Sequence, residues 1–195
     1  MEVLVETSAR HVHLSQEALE ALFGAGATLT KKKDLSQPGQ YSCEERVTIV
    51  GPKKEIPNVS VLGPTRPQTQ IELSATDARG AGFAIAVRES GDIDGSPACT
   101  LKGPNGTYDV DSGVIVAKRH VHLTETSAAA AKLHNGDLVG VKILSDGRSA
   151  VLGDVVIRVS DKFGDAMHID TDESNAVSCG AGQKGAIVAN PSAYI

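Results

Sequence analysis

Residues 1–6 carry the apolar, mostly β-branched run Val3-Leu4-Val5 between Glu2 and Glu6, which predicts a short opening strand. The spacing then changes. Ala18, Leu19, Leu22 and Phe23 share one face at helical intervals; Ser15 stands as the N-cap, Glu17 lies at the positive end of the dipole, and Gly24 and Gly26 stop the helix. Residues 28–110 are β in texture. Short apolar runs at 47–50, 59–62, 70–73 and 83–87 are separated by Pro38-Gly39, Gly51-Pro52, Gly63-Pro64, Gly103-Pro104 and Asn105-Gly106. A short helix is predicted to start near Ser74, with Asp77 three residues on as its cap partner. The second half repeats this outline: a strand at 114–117, then an Ala-rich helix capped by Thr124 and ending near Asn135-Gly136. Strands follow at 137–144, 150–159 and 167–170, and a Gly-rich loop at 180–185 precedes a last strand at 186–188. The expected fold is mainly β: two small β-barrels or sandwiches with short capping helices, not an alternating βαβ sheet.

One phrase occurs twice. Arg10-His11-Val12-His13-Leu14 follows an apolar strand and precedes Ser15; Arg119-His120-Val121-His122-Leu123 follows another and precedes Thr124. In an extended strand, residues two apart share a face, so each His-x-His can aim both imidazoles at one point. One copy could be a solvated strand edge, but two copies in the same strand-to-helix context argue for metal ligation on an internal repeat.

Composition narrows the function. With 3% aromatics, no Trp and a net charge of −5, base-stacking platforms and a generic nucleic-acid surface are not expected. Cys43, Cys99 and Cys179 form no C-x-x-C pair, which fits neither a disulfide framework nor a thiolate zinc finger. There is no signal peptide and no bilayer-spanning apolar run, so no membrane partner is expected and the predicted location is cytoplasmic.

His168, in Met167-His168-Ile169-Asp170, reads either as a structural strand histidine or as a third ligand beside His120 and His122. His134, near a helix end, reads as structural. Glu72 is either a solvated strand position or a carboxylate ligand. Arg66 sits between Gly63-Pro64 and Pro67, where stiff backbone would aim a guanidinium; it is either a surface cation or an oxyanion clamp. Gly180-Ala-Gly-Gln-Lys-Gly185 matches G-x-G-x-x-G, but a strand rather than a helix follows it, so it reads as a turn.

Taken together, Ser8 to Ser15, Lys118 to Leu123, Gly63 to Arg66, Ile71-Glu72-Leu73 with Asp77-Ala78-Arg79, and Met167 to Asp170 resemble the PduL-type phosphotransacylases, or phosphate propanoyltransferases. The resemblance runs through nearly the whole chain in order. It implies interconversion of a short-chain acyl-CoA (acetyl or propanoyl) plus phosphate with acyl phosphate plus CoA. It also implies two β-barrels with exchanged strands, and a site of two divalent ions, usually zinc, between them. The ligands implied are His11, His13 and Glu72 for one ion and His120, His122 and His168 for the other, with Arg66 binding phosphate beside the second. The first ion would then take the CoA sulfur. The expected division is one catalytic unit, with residues 28–113 as a central barrel and residues 1–27 plus 114–195 as the second. A homodimer is the expected assembly. Relatives in bacterial microcompartments carry an encapsulation helix ahead of the first strand, so a lumenal location is expected only if such an extension lies outside this sequence. Two rivals stand beside this reading: a metal-dependent hydrolase of thioesters or acyl phosphates, and a non-catalytic metal-binding module.

Overall fold

Val12 and Val121, each between the two histidines of its phrase, are fully buried, and each packs into a different hydrophobic core. In the computed structural model the described residues, 1–188, form fifteen strands and four helices. In chain order these begin β1 (Glu2–Thr7), β2 (His11–His13), α1 (Gln16–Phe23), β3 (Lys31–Asp34), β4 (Tyr41–Val50), β5 (Glu55–Gly63), β6 (Gln70–Glu72) and α2 (Ala75–Ala81). Then come β7 (Val87–Arg88), β8 (Cys99–Lys102), β9 (Thr107–Val110), β10 (Val114–Ala117), β11 (His120–Leu123) and α3 (Glu125–Ala131). The last are β12 (Leu138–Ile143), β13 (Ala150–Val159), β14 (Ala166–Ile169), α4 (Thr171–Ala176) and β15 (Lys184–Val188).

The chain divides into two units. Unit 1 holds residues 1–8, 36–38 and 118–195; unit 2 holds residues 9–35 and 39–117. In unit 1 the described strands close a six-stranded barrel in the order β1-β14-β11-β13-β12-β15. Its core is aliphatic, with Val3, Val5, Val121, Leu123, Val141, Ile157 and Met167 buried, as a chain so poor in aromatics requires. In unit 2 the described strands form a nine-stranded sheet that curls without closing, running β7-β10-β6-β2-β5-β4-β8-β9 with β3 beside β4. Burying a side chain such as Ile71 or Leu101 contributes roughly 1.5–3 kcal/mol, and both are fully enclosed here. The exposed edge strand β3 is Lys31-Lys32-Lys33-Asp34, and such a row of charge discourages pairing with another chain.

The expected strand exchange is present. β1 pairs with β14 in unit 1, although β2, next in the chain, belongs to unit 2; β10 pairs with β6 in unit 2, although β11, next in the chain, belongs to unit 1. Residues 9–27, expected with the C-terminal half, therefore fall in unit 2, because β2 hydrogen-bonds β5 and β6. Two further local differences have clear causes. The apolar run at 83–87 is not a strand, and only Val87–Arg88 pairs; Phe83 is instead buried against the end of α2, its N–H bonded to the Ala78 carbonyl. The unpredicted helix α4 is set by a capping box, with Asp170 accepting from the Glu173 N–H at 2.8 Å and Glu173 accepting from the Asp170 N–H at 3.0 Å.

Two histidine centres on one repeated frame

The two units build their histidines into the same frame. β2 runs antiparallel to β6 and parallel to β5; β11 runs antiparallel to β14 and parallel to β13. Register sets His11 opposite Glu72, and His120 opposite His168. A carboxylate in one unit thus takes the place that an imidazole takes in the other. The arginine of each phrase is also tied down in parallel ways: Arg10 to Asp77 at 3.1 Å and Arg119 to Glu173 at 2.8 Å, each acid three residues past its helix N-cap.

In unit 2, His11 Nδ1 lies 2.8 Å from the Ala9 carbonyl and donates to it, which leaves the Nε2 lone pair for the centre. His11 Nε2 is 3.2 Å from His13 Nε2 and 3.5 Å from Glu72 Oε2, and His13 Nε2 is 4.0 Å from Glu72 Oε1. Tetrahedral zinc with bonds of about 2.05 Å has ligand atoms roughly 3.3 Å apart, so this spacing fits an ion. The three side chains are nearly enclosed, at 6%, 3% and 12% exposed. Burial alone would disfavour a charged His11, but Glu72's charge and hydrogen bond outweigh it and raise the His11 pKa. Burial first, then the His11 and Arg66 charges, push His13 well below the usual range, so it stays neutral. Burial pushes Glu72 up; His11, His13 and Ser90 more than offset this and keep it ionised. A neutral imidazole, a chargeable one and a carboxylate converge here, a donor set that could hold a divalent cation.

Arg66 lies in this same unit, and its charge bears on both His11 and His13. Its backbone N–H donates to the Leu14 carbonyl at 2.9 Å, tying the loop to the end of the His-x-His strand. Gly63, at the loop's start, must lack a Cβ, because one would sit 2.4 Å from the Tyr41 ring. Arg66 donates to Ser90 Oγ at 3.2 Å, and Ser90 donates to Glu72 Oε1 at 2.9 Å.

In unit 1, His120 Nδ1 donates to the Lys118 carbonyl at 2.8 Å, the same device as in His11. The rings of His120, His122 and His168 stand 4.6–5.3 Å apart, and one nitrogen from each lies within 4.8 Å of the others. Burial, then the His120, His168 and Arg158 charges, push His122 down to about 2, leaving it neutral. Phe163 packs on its ring at 4.1 Å. Gln37 reaches in from residues 36–38, with its amide nitrogen donating to the Gly164 carbonyl at 2.9 Å and 3.3 Å from His168 Nε2. Every sequence-proposed ligand thus joins one of two triads, whereas His134 is an exposed side chain beside Asp137. Sequence reading missed Gln37, Gln70 and Ser90, which come from loops and strands with no local motif.

Burial disfavours the thiolate form of all three cysteines. Burial, then Glu45, raises Cys43 to about 11, and burial, then Asp109, raises Cys99 to about 12. Burial raises Cys179 as well, against hydrogen bonds from Thr7 and Ser174. Thiolate is the reactive form, so Cys43 and Cys99 should resist iodoacetamide at pH 8 in the folded protein and react fully in denaturant. Labelling of either in the folded chain at the rate of free thiol would contradict this.

Comparison with known proteins follows the same lines. The phosphate propanoyltransferase family profile matches residues 4–180. The Listeria monocytogenes phosphate propanoyltransferase is 48% identical over 186 residues, covering 95% of this chain and 87% of the relative. The Clostridioides difficile phosphate propanoyltransferase is 50% identical over 176 residues, 90% and 83% of the two chains. That of Thermotoga maritima is 48% identical over 180 residues, 92% and 86%. A non-catalytic module is thereby set aside: the chain belongs to the phosphate propanoyltransferase family of phosphotransacylase enzymes.

Proposed function

We propose that the enzyme interconverts acetyl- or propanoyl-CoA plus phosphate with the acyl phosphate plus CoA, with one divalent ion held in each triad. His11, His13 and Glu72 would hold the first ion, and His120, His122 and His168 the second. Imidazole and carboxylate donors in sets of three, with a coordination position left open, favour zinc of catalytic type. Bound zinc supplies Lewis-acid polarisation of an oxygen and a soft site for thiolate sulfur. The sulfur of CoA is assigned to the first centre, and the phosphate to Arg66.

The residues of unit 2 carry the rest. Phosphate enters as an oxyanion, and the Arg66 guanidinium offers it two parallel N–H donors. One phosphate oxygen bonds to the acyl carbon, the carbon–sulfur bond breaks, and its electron pair leaves on sulfur. Arg66 holds the anion and lowers its cost of approach to the buried Glu72 carboxylate. Direct attack suits a chain whose Cys43 and Cys99 thiols are pushed toward the protonated form by burial. The observation that supports this reading best is the link from Arg66 through Ser90 to Glu72, which joins an anion-binding fork to a metal-ligand set.

Phosphate dependence tests it. Propanoyl-CoA with phosphate should give propanoyl phosphate and free thiol in equal amounts, and the reverse reaction should run. Thiol release at the same rate without phosphate would establish a metal-dependent hydrolase instead.

A further inference from the structure

Gln70 lies two residues before Glu72 on β6, opposite His13 in the antiparallel register, and is 2% exposed. A polar side chain buried so fully must spend its hydrogen-bonding groups on specific partners. Its Nε2 donates to Glu72 Oε1 at 2.6 Å and to Ser90 Oγ at 2.9 Å, and its Oε1 accepts the Gly91 N–H at 2.7 Å. The Gly91 bond decides the orientation of the amide: an oxygen must face that N–H, so the NH₂ must face the carboxylate. Ser90 is equally committed. Its hydroxyl accepts from Gln70 and from Arg66 and donates to Glu72 Oε1, which uses both lone pairs and the proton. Oε1 of Glu72 is therefore doubly hydrogen-bonded, while Oε2 is the atom 3.5 Å from His11 Nε2.

We infer that Gln70 is the positioning residue of the first centre. It clamps Glu72 Oε1 so that only Oε2 is offered to the ion, and it holds the Ser90-Gly91 turn against the carboxylate so that Arg66 is held in place with it. This rests on the proposal that the His11, His13 and Glu72 triad binds a metal. The repeat supports a role particular to this centre. In unit 1 the position opposite the second histidine, His122, is Ala166, and the third ligand there is an imidazole with no second oxygen to restrain.

The test uses the full chain carrying His120→Ala, so that a single ion remains, loaded with zinc for chelator competition and with cobalt(II) for visible spectroscopy. Gln70→Met keeps the volume and removes both donors. Partners that orient a ligand are typically worth 10- to 100-fold in metal affinity, so zinc should bind about 10- to 100-fold more weakly. The cobalt ligand-field bands should shift as Glu72 turns to offer both oxygens, a change that mere loosening of the fold would not give. Ser90→Ala, in a half-exposed loop, should move affinity and bands in the same direction and also raise the KM for phosphate in the His120-intact enzyme. A folded Gln70→Met chain with unchanged zinc affinity and cobalt bands overturns the inference. If Gln70→Met does not fold, Ser90→Ala with unchanged affinity and bands overturns it. A parent chain that takes up no ion at all overturns the metal reading itself.

Discussion

The Arg66→Lys enzyme is expected to lose about 10- to 150-fold in kcat/KM for phosphate, while its metal content and KM for acyl-CoA stay near the parent values. Lysine keeps the charge but gives up the planar fork. A hydrogen bond to a charged group is worth roughly 1.5–3 kcal/mol, which is where the range comes from. The fold should tolerate the change, since the loop is fixed by its backbone bond to Leu14 and by Tyr41 over Gly63, neither of which involves the guanidinium. Arg66 also donates to Ser90, so part of the loss should appear through Glu72's environment. Steady-state kinetics with each substrate varied separately decides it. Normal phosphate kinetics with weakened acyl-CoA binding would show that this loop faces the other substrate.

Glu72→Gln should cost more, with kcat falling on the order of 1,000-fold and the first ion lost, because a Lewis acid is worth several kcal/mol of transition-state stabilisation. The substitution is close to isosteric. The amide oxygen can still accept from Gln70 and Ser90, so a cooperative unfolding transition should survive. The missing piece is the anionic oxygen facing His11 at 3.5 Å. Elemental analysis should read about one ion per chain in place of two, and His120→Ala should likewise read one, from the opposite triad. A Glu72→Gln chain that keeps both ions would remove Glu72 from the ligand set. The pH dependence of uptake gives an independent check. In the metal-free chain the raised His11 must give up its proton before its nitrogen can bind an ion. Zinc affinity should therefore fall as pH drops through the raised His11 pKa and flatten above it, with protons released on zinc binding at pH values below that pKa.

Much of this protein was written locally. The His-x-His phrases, the helix caps and the short strands are all short-range patterns, and apart from the 83–87 run they are realised: Ser15, Ser74 and Thr124 cap helices as their positions suggested. Residue type and period-2 spacing are sufficient to aim His11 with His13 and His120 with His122, whereas Glu72 and His168 entered the ligand sets through the family resemblance. The capping box Asp170-x-x-Glu173 was equally legible and went unused.

Tertiary structure decided what depends on pairing between distant strands. Only the β2–β6 register sets Glu72 across from His11, and only the β11–β14 register sets His168 across from His120. The exchange of β1 and β10 is likewise invisible locally, since a strand's own alternation says which face is buried but not which sheet receives it. Arg66 makes the same point for the site. Its stiff loop could be read from glycine and prolines, but the strand end to which the loop returns could not, and that end is Leu14, beside His13. Gln70 and Ser90 carry no motif at all, because a hydrogen-bond network is specified by three-dimensional convergence of side chains 18 to 20 residues apart, and sequence spacing cannot encode it.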